Sequence, residues 1–408
     1  MKFILYFIIG IIFQQVINAQ SDHYLLQVGK TDSIYSEELK EFREVYVELP
    51  ESYMANSDEK FPVVYVLDGE VFLPTVVNVL NFYSGGFMPE MIVIGIFNKI
   101  NRTRDLTPSK INTRYGRPFN IENGGAESFL KFIKQELIPH IEEKYRATNY
   151  RTLIGHSFGG LFAINTLINE PDLFANYISI DPSLDWDNQK LIKQADSVLK
   201  KVKLSNKALY MSLSGQLHMQ NKDVTIDNVM QDTSDFTLFA RSNIKFSNTV
   251  KNSKSNLFYK WQFYPNDLHG TISQSSIKDG LLALFQWYQM ENTDAINNPE
   301  TSIEELLKII KHREAKLFKH YGYKVPPYPE FLLDMSGHMN MDMQQIEKSK
   351  MYFEQAIKYY PKSENAYNSM AEFYISQNDK KNAIINLQKA FEISENVDYK
   401  NRINELLD

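Results

Sequence analysis

A doubly wound α/β fold with a mostly parallel sheet is predicted for residues 20–292 by three features. Apolar runs alternate with amphipathic helices. Several of those runs are almost continuously apolar, as in strands covered on both faces. A sharp glycine-flanked turn, Gly155-His156-Ser157-Phe158-Gly159, joins one strand directly to a helix. The early strands are residues 44–49, 63–67 and 91–96. Between Ala126 and Arg146, Phe129, Ile133, Leu137, Ile141 and Tyr145 recur every four residues, which predicts a helix with one face on the sheet and a kink at Pro139. Residues 151–154 are the strand before the turn and residues 160–167 the helix after it. Strands 177–180, 208–213 and 259–264 come next, each ending in a loop where chemistry can be placed.

The 408 residues are 43% hydrophobic, enough for one large domain and a smaller one. A net charge of -6, without lysines interleaved with aromatics, argues against nucleic acid as a partner. Cysteine is absent, which removes disulfides, thiolate metal sites and a cysteine nucleophile. His218, His312, His320 and His338 have no metal-ligand spacing, and neither a metal nor an organic cofactor is expected. Lys2, the apolar run 3–13 and the small residue Ala19 read as a cleaved secretory signal over residues 1–19, with an uncleaved anchor as the rival. No later run approaches membrane-spanning length, so a secreted or periplasmic protein without stable membrane insertion is expected.

Beyond about Asn292 the chain turns charged and helix-favouring. Residues 293–330 read as a helical linker, broken by the cluster Val325-Pro326-Pro327-Tyr328-Pro329. In residues 331–408, the segments around Ala356 and Ala390 repeat 34 residues apart, the tetratricopeptide period. Tyr367, Met370, Ala371, Tyr374, Ala383 and Leu387 hold packing positions of one repeat, and Gly337 and Pro361 of the other. Ser349 and Glu395 depart from the usual alanine and proline. Two repeats fall short of a long superhelix, so they are expected to dock on the first domain, with a protein partner as a further role.

Glycines on either side let Ser157 stand exposed on a strained bend, and the helix after it aims its amino end at developing negative charge. A serine hydroxyl is a weak nucleophile and needs a base. His269, directly after the last strand, is the candidate, while His156 packs the turn. The carboxylate orienting the imidazole is expected after strand 208–213, among Asp223, Asp227, Asp232 and Asp235. Asp232 is preferred, though it equally reads as a helix cap, and a dyad without an acid stays open. Asp267 is too near His269 in sequence and braces the loop. Oxyanion donors are expected from the backbone N–H groups of Phe158 and of Glu70, which comes after the turn Leu67-Asp68-Gly69. Trp186 reads equally as a pocket wall or a core anchor.

Residues 43–50, 61–69, 102–108, 155–160, 181–186, 269–271 and 278–281 together resemble the putative-esterase family of α/β hydrolases, a group with siderophore, feruloyl and esterase D type members and mycolyltransferases. The resemblance implies an α/β-hydrolase fold, Ser157 and His269 as nucleophile and base, and Glu70 with Phe158 as oxyanion donors. Asp181 and Thr271 stand where relatives commonly carry serine. The expected function is hydrolysis of carboxylic esters through an acyl-enzyme, on siderophore or carbohydrate acyl esters. Acyl transfer on the same machinery, and a binding protein using the repeats, are the alternatives.

Overall fold

The computed structural model describes residues 28–54, 59–218 and 220–407. The secretory signal expected at residues 1–19 lies outside the described residues. Residue contacts divide the chain into two units: one made of the chain up to Pro50, Phe61–Phe82 and Met91–Gly280, the other of Glu51–Lys60, Tyr83–Glu90 and Leu281–Asp408.

The first unit is built on an eight-stranded sheet in the order β1-β2-β4-β3-β7-β8-β9-β10. β1 (Lys30–Ser36) and β2 (Glu41–Glu48) are antiparallel, and β2 is antiparallel to β4 (Ile92–Ile96). From there β3 (Phe61–Leu67), β7 (Ala147–His156), β8 (Asn176–Ile180), β9 (Ala208–Ser214) and β10 (Phe258–Tyr264) run parallel. Every residue of β3, β4 and β8 is buried, as strands covered on both faces require. β1 lacks an apolar run, so periodicity does not reveal it; its ladder to β2 defines it. A second missed element is the short hairpin of β5 (Thr113–Arg114) and β6 (Arg117–Pro118), turned at Tyr115 and Gly116 with φ of 50° and 70°.

Helices α1 (Gly69–Tyr83), α2 (Arg102–Leu106), α3 (Ala126–Phe132), α4 (Ile138–Lys144), α5 (Phe158–Asn169), α6 (Trp186–Leu199), α7 (Leu238–Lys251) and α8 (Ile272–Phe285) occupy the connections. α3 and α4 form the predicted helix, interrupted by a π turn over Ile133–Leu137 just before Pro139. Proline offers no N–H to the Gln135 carbonyl, and a wider turn accommodates its ring. Register sets Gly155 beside Ser179, His156 beside Ile180, Ile180 beside Ser212 and Ser214 beside Tyr264. The carboxyl ends of β7 to β10 are therefore level, and the loops and turns leaving them share one edge of the sheet.

The second unit is helical: α9 (Thr293–Asn297), α10 (Ile303–Tyr321), α11 (Glu330–Asp342), α12 (Ile346–Tyr359), α13 (Glu364–Ser376), α14 (Lys380–Ser394) and α15 (Val397–Leu407). Ser302 caps α10 by accepting from the Glu305 N–H, and Gly322 closes it at φ 77°. The buried Arg313 donates to the Pro327 carbonyl at 2.6 Å and to the Tyr288 carbonyl at 2.9 Å, which ties the proline cluster to the long helix. Leu306, Ile310, Tyr328, Leu333, Met351, Tyr352 and Ala356 form one cluster, and Phe353, Met370 and Phe373 another. Among the described residues no helix is long and apolar enough to cross a membrane.

At Gly337 a Cβ would lie 2.4 Å from the ring of Phe353, which is wholly buried and cannot retreat. Gly337→Ala is expected to destabilise the helical unit by about 1–3 kcal/mol, read as a lowered thermal or urea midpoint.

Candidate active site

Ser157 sits between β7 and α5 with φ 58° and ψ -113°, a conformation a non-glycine residue holds only when its surroundings enforce it. Its N–H donates to the Ile180 carbonyl at 2.9 Å, and its own carbonyl accepts from Leu161 at 2.9 Å and Ser183 at 3.1 Å. Gly155 is required, since a Cβ there would lie 2.2 Å from the Gly159 carbonyl oxygen. At Gly160 a Cβ would come within 3.0 Å of the Ile180 carbonyl oxygen, so the start of α5 lies tight against β8.

His269 comes after β10 and brings Nε2 to 3.1 Å from Ser157 Oγ. Nδ1 donates to Asp181 Oδ2 at 2.6 Å. Asp181, directly after β8 at φ 42°, is fully buried and also accepts from the Ser214 N–H at 3.0 Å and the Ser214 hydroxyl at 2.9 Å. The loop carrying His269 is braced on β9: Gly215 N–H donates to the Asp267 carbonyl at 2.9 Å, and His269 N–H to Gln216 Oε1 at 3.1 Å. Asp267 Oδ1 accepts from the Thr271 hydroxyl at 3.1 Å, within its own loop.

The carboxylate at His269 is thus Asp181 rather than the expected Asp232. Asp232 accepts from the Ser234 N–H at 2.6 Å and the Thr237 hydroxyl at 3.2 Å, the capping arrangement ahead of α7. Asp223, Asp227 and Asp235 are exposed. The sequence carries a signal for Asp181, an acidic residue placed immediately after a buried strand, but the expectation of an acid after the next strand obscures it.

His156 does more than pack the turn. Its Nε2–H donates to the His269 carbonyl at 2.8 Å, and its ring lies 4.6 Å from the His269 ring and 5.7 Å from that of Phe72. Burial, followed by the neighbouring His269, lowers its pKa to about 4, so it is a neutral donor at neutral pH. Phe239 meets the His269 ring edge-on at 5.3 Å.

Glu70 and Phe158 both lie in the first turn of a helix, where backbone N–H groups have no intrahelical acceptor. The Asp68 carbonyl takes the Val71 and Phe72 N–H groups and leaves that of Glu70 without a protein partner among the described residues. A Cβ on Gly159 would sit 3.5 Å from Leu67 Cβ, so the start of α5 adjoins the end of β3. Arg102 grips both Asp68 oxygens at 2.8 Å and the His156 carbonyl at 3.1 Å, locking these two strand ends together.

The β5–β6 hairpin supplies another wall. Arg114 lies over the rings of Phe158, Trp186 and Tyr115 at 5.2, 5.5 and 5.1 Å. It pairs with Asp185 Oδ2 at 3.0 Å, which also accepts from the Tyr115 hydroxyl at 2.5 Å. Trp186 is 2% exposed, so it is a buried anchor: Nε1–H donates to the Ser109 carbonyl at 2.9 Å, and its ring packs edge-on against Phe158 at 5.3 Å.

A parallel sheet with a strained serine at one strand end, an imidazole from the final loop and a buried carboxylate beside it defines a hydrolase-type α/β protein. The chain belongs to the family described as Putative esterase, whose model matches residues 36–266. Two tetratricopeptide repeats match residues 332–363 and 364–397, the α11–α12 and α13–α14 pairs. The chain is 33% identical to ferri-bacillibactin esterase BesA of Bacillus subtilis over 42% of its own length and 65% of that protein. It is 27% identical to a siderophore triacetylfusarinine C esterase of Aspergillus fumigatus over 36% of its length and 52% of that protein. The alignments therefore span less than two thirds of either curated relative. Among solved structures it resembles an IroE-like serine hydrolase from Shewanella oneidensis, with TM-score 0.65 and 28% identity over 81% of this chain and 99% of that one.

Because the folded pKa of His156 lies below its ordinary 6.5, the unfolded chain binds the extra proton first. Stability attributable to this ring is intact above pH 6.5 and falls by about 3 kcal/mol as pH drops to about 4. Urea unfolding of the native chain and of His156→Gln at pH 7, 5.5 and 4 is expected to show the two stabilities converging on acidification.

Proposed function

We propose that the protein is a serine carboxylic-ester hydrolase working through an acyl-enzyme, with Ser157 as nucleophile, His269 as base and Asp181 as the orienting acid. The observation that carries this reading is the hydrogen-bonded line from Ser157 Oγ through both His269 nitrogens to a buried carboxylate. Asp181 holds the proton on Nδ1 and leaves the Nε2 lone pair facing the serine. As Oγ attacks the ester carbonyl carbon, its proton passes to Nε2. The tetrahedral oxyanion is received by the Glu70 and Phe158 N–H groups, each such donor being worth roughly 10²–10³ in rate. His269 then gives the proton to the departing alcohol. A water molecule, deprotonated by the same nitrogen, releases the acid.

The substrate class proposed is a bulky ester met outside the cytoplasm, with siderophore ester backbones ahead of acylated carbohydrates. Support comes from the names of the relatives, both siderophore esterases, and from the Arg114 guanidinium, which lies over the ring of Phe158, the residue after the nucleophile. Secretion or a periplasmic location belongs to the same proposal and rests on the pattern of residues 1–19.

Ser157→Ala is expected to abolish p-nitrophenyl acetate hydrolysis in a protein with an unchanged circular dichroism spectrum. Asp181→Asn is expected to lower kcat by roughly 10³–10⁴, whereas Asp232→Ala leaves kcat within about twofold and only lowers the melting point, as loss of a cap does. The opposite ranking of the two aspartates would remove Asp181 from the mechanism.

For substrate class, kcat/KM is expected to rank a siderophore trilactone above feruloyl and acetyl esters. A feruloyl optimum would move the assignment to plant polysaccharides, and product transferred to an added alcohol would reveal acyl transfer.

A further inference from the structure

A second hydroxyl reaches the oxygen of Ser157. Ser183 lies between β8 and α6, is 2% exposed, and places Oγ 3.2 Å from Ser157 Oγ. Its backbone N–H donates to the Ser157 carbonyl at 3.1 Å, so the two residues are held together twice. Among the described residues the Ser183 hydroxyl has no other hydrogen-bond partner. A buried hydroxyl with a single partner is committed to that partner.

The direction of the bond is fixed by counting protons. Nδ1 of His269 carries a proton, because it faces the Asp181 carboxylate, so Nε2 is an acceptor. The Ser157 proton points at Nε2. Ser183 must then be the donor in the pair, directed at a lone pair of Ser157 Oγ. Three of the four directions around that oxygen are assigned: Cβ, the proton toward His269 and the lone pair toward Ser183. The fourth is left for the ester carbon.

We propose that Ser183 is a further catalytic residue whose hydroxyl donates to Ser157 Oγ and stabilises that oxygen as it leaves the acyl group. The inference rests on the esterase reading above. In the acyl-enzyme, Oγ is an ester oxygen and a poor acceptor, so the Ser183 bond is weak. During deacylation His269 takes a proton from water, and the hydroxide oxygen bonds to the acyl carbon. When the tetrahedral intermediate collapses, the C–Oγ bond breaks and its electron pair stays on Oγ, which receives the proton back from Nε2. Ser183 keeps its own proton throughout, and its hydrogen bond strengthens as charge gathers on Oγ. An interaction stronger in the transition state than in the preceding state accelerates that step. Acylation gains less, because the bond already exists in the free enzyme.

The test is stopped-flow and steady-state hydrolysis of p-nitrophenyl acetate by the full chain, comparing the native protein with Ser183→Ala, Ser183→Thr and Ser157→Ala. Ser183→Ala is expected to lower kcat about tenfold, to lower KM in parallel, and to show a burst near one p-nitrophenolate per enzyme as acyl-enzyme accumulates. Ser183→Thr, which keeps the donor, is expected to restore kcat to within about threefold. Should Ser183→Ala fail to fold, Ser183→Cys, similar in size and a weaker donor, carries the same expectation. An unchanged kcat without a burst overturns the inference and leaves the esterase reading standing. Equal falls in kcat and kcat/KM, unrescued by threonine, overturn it too, since they mark a distorted loop. A native protein without turnover, or Ser157→Ala with native turnover, overturns both readings.

Discussion

The site depends on one buried charge. A carboxylate with no access to water is costly unless donors surround it, and Asp181 has three: the Ser214 N–H, the Ser214 hydroxyl and His269 Nδ1. Two come from the end of β9 and one from the loop after β10, so satisfying the charge brings three strand ends together. The His269 ring is oriented because rotating it away would strip the carboxylate of a donor. Gly215 makes that closure feasible, since a Cβ there would lie 2.1 Å from the Pro265 carbonyl oxygen.

Strain collects at the same sheet edge. Asp68, Ser157 and Asp181 end the neighbouring strands β3, β7 and β8, and all three have positive φ, at 52°, 58° and 42°. Each such residue costs roughly 1–3 kcal/mol, which the surrounding contacts must offset. Those contacts are identifiable: Asn98 accepts from the Asp68 N–H, the Ile180 carbonyl from Ser157 and the Ser212 carbonyl from Asp181. Arg102 adds a forked bond across two of these strand ends. Turning the chain sharply at each strand end keeps side chains at the edge, where continuing strands would have buried them in the helical layers.

The parts of this arrangement legible in the sequence are those written in short-range chemistry. Gly155 and Gly159 announce the turn because the backbone approach at Gly155 excludes a side chain, and the apolar runs of β3, β4 and β8 announce their double burial. The features that escape are set by tertiary partners. Asp181 directly follows a buried strand, but it is the register of β8 and β9 that shows which carboxylate meets the final loop. Ser183 is an ordinary loop serine until the fold sets it against Ser157. The hairpin at Tyr115 and Gly116 lacks the asparagine or aspartate that usually marks such turns, and β1, largely polar, is specified by its ladder.

Charge pairing explains how aromatic and cationic groups share the wall next to the nucleophile. The Phe158 ring is flanked by two guanidinium groups, Arg102 at 5.6 Å and Arg114 at 5.2 Å. Neither is a free charge, because Asp68 holds the first and Asp185 the second. Unpaired, two cations beside the serine would favour any oxyanion, bound solvent anions included, and raise the cost of the protonated imidazole the proposed reaction requires. Paired, they act as rigid planar supports for the Phe158 ring, and hence for the first N–H of α5. Stabilisation of developing charge is then left to backbone dipoles placed before the substrate arrives, the arrangement that costs least reorganisation during reaction.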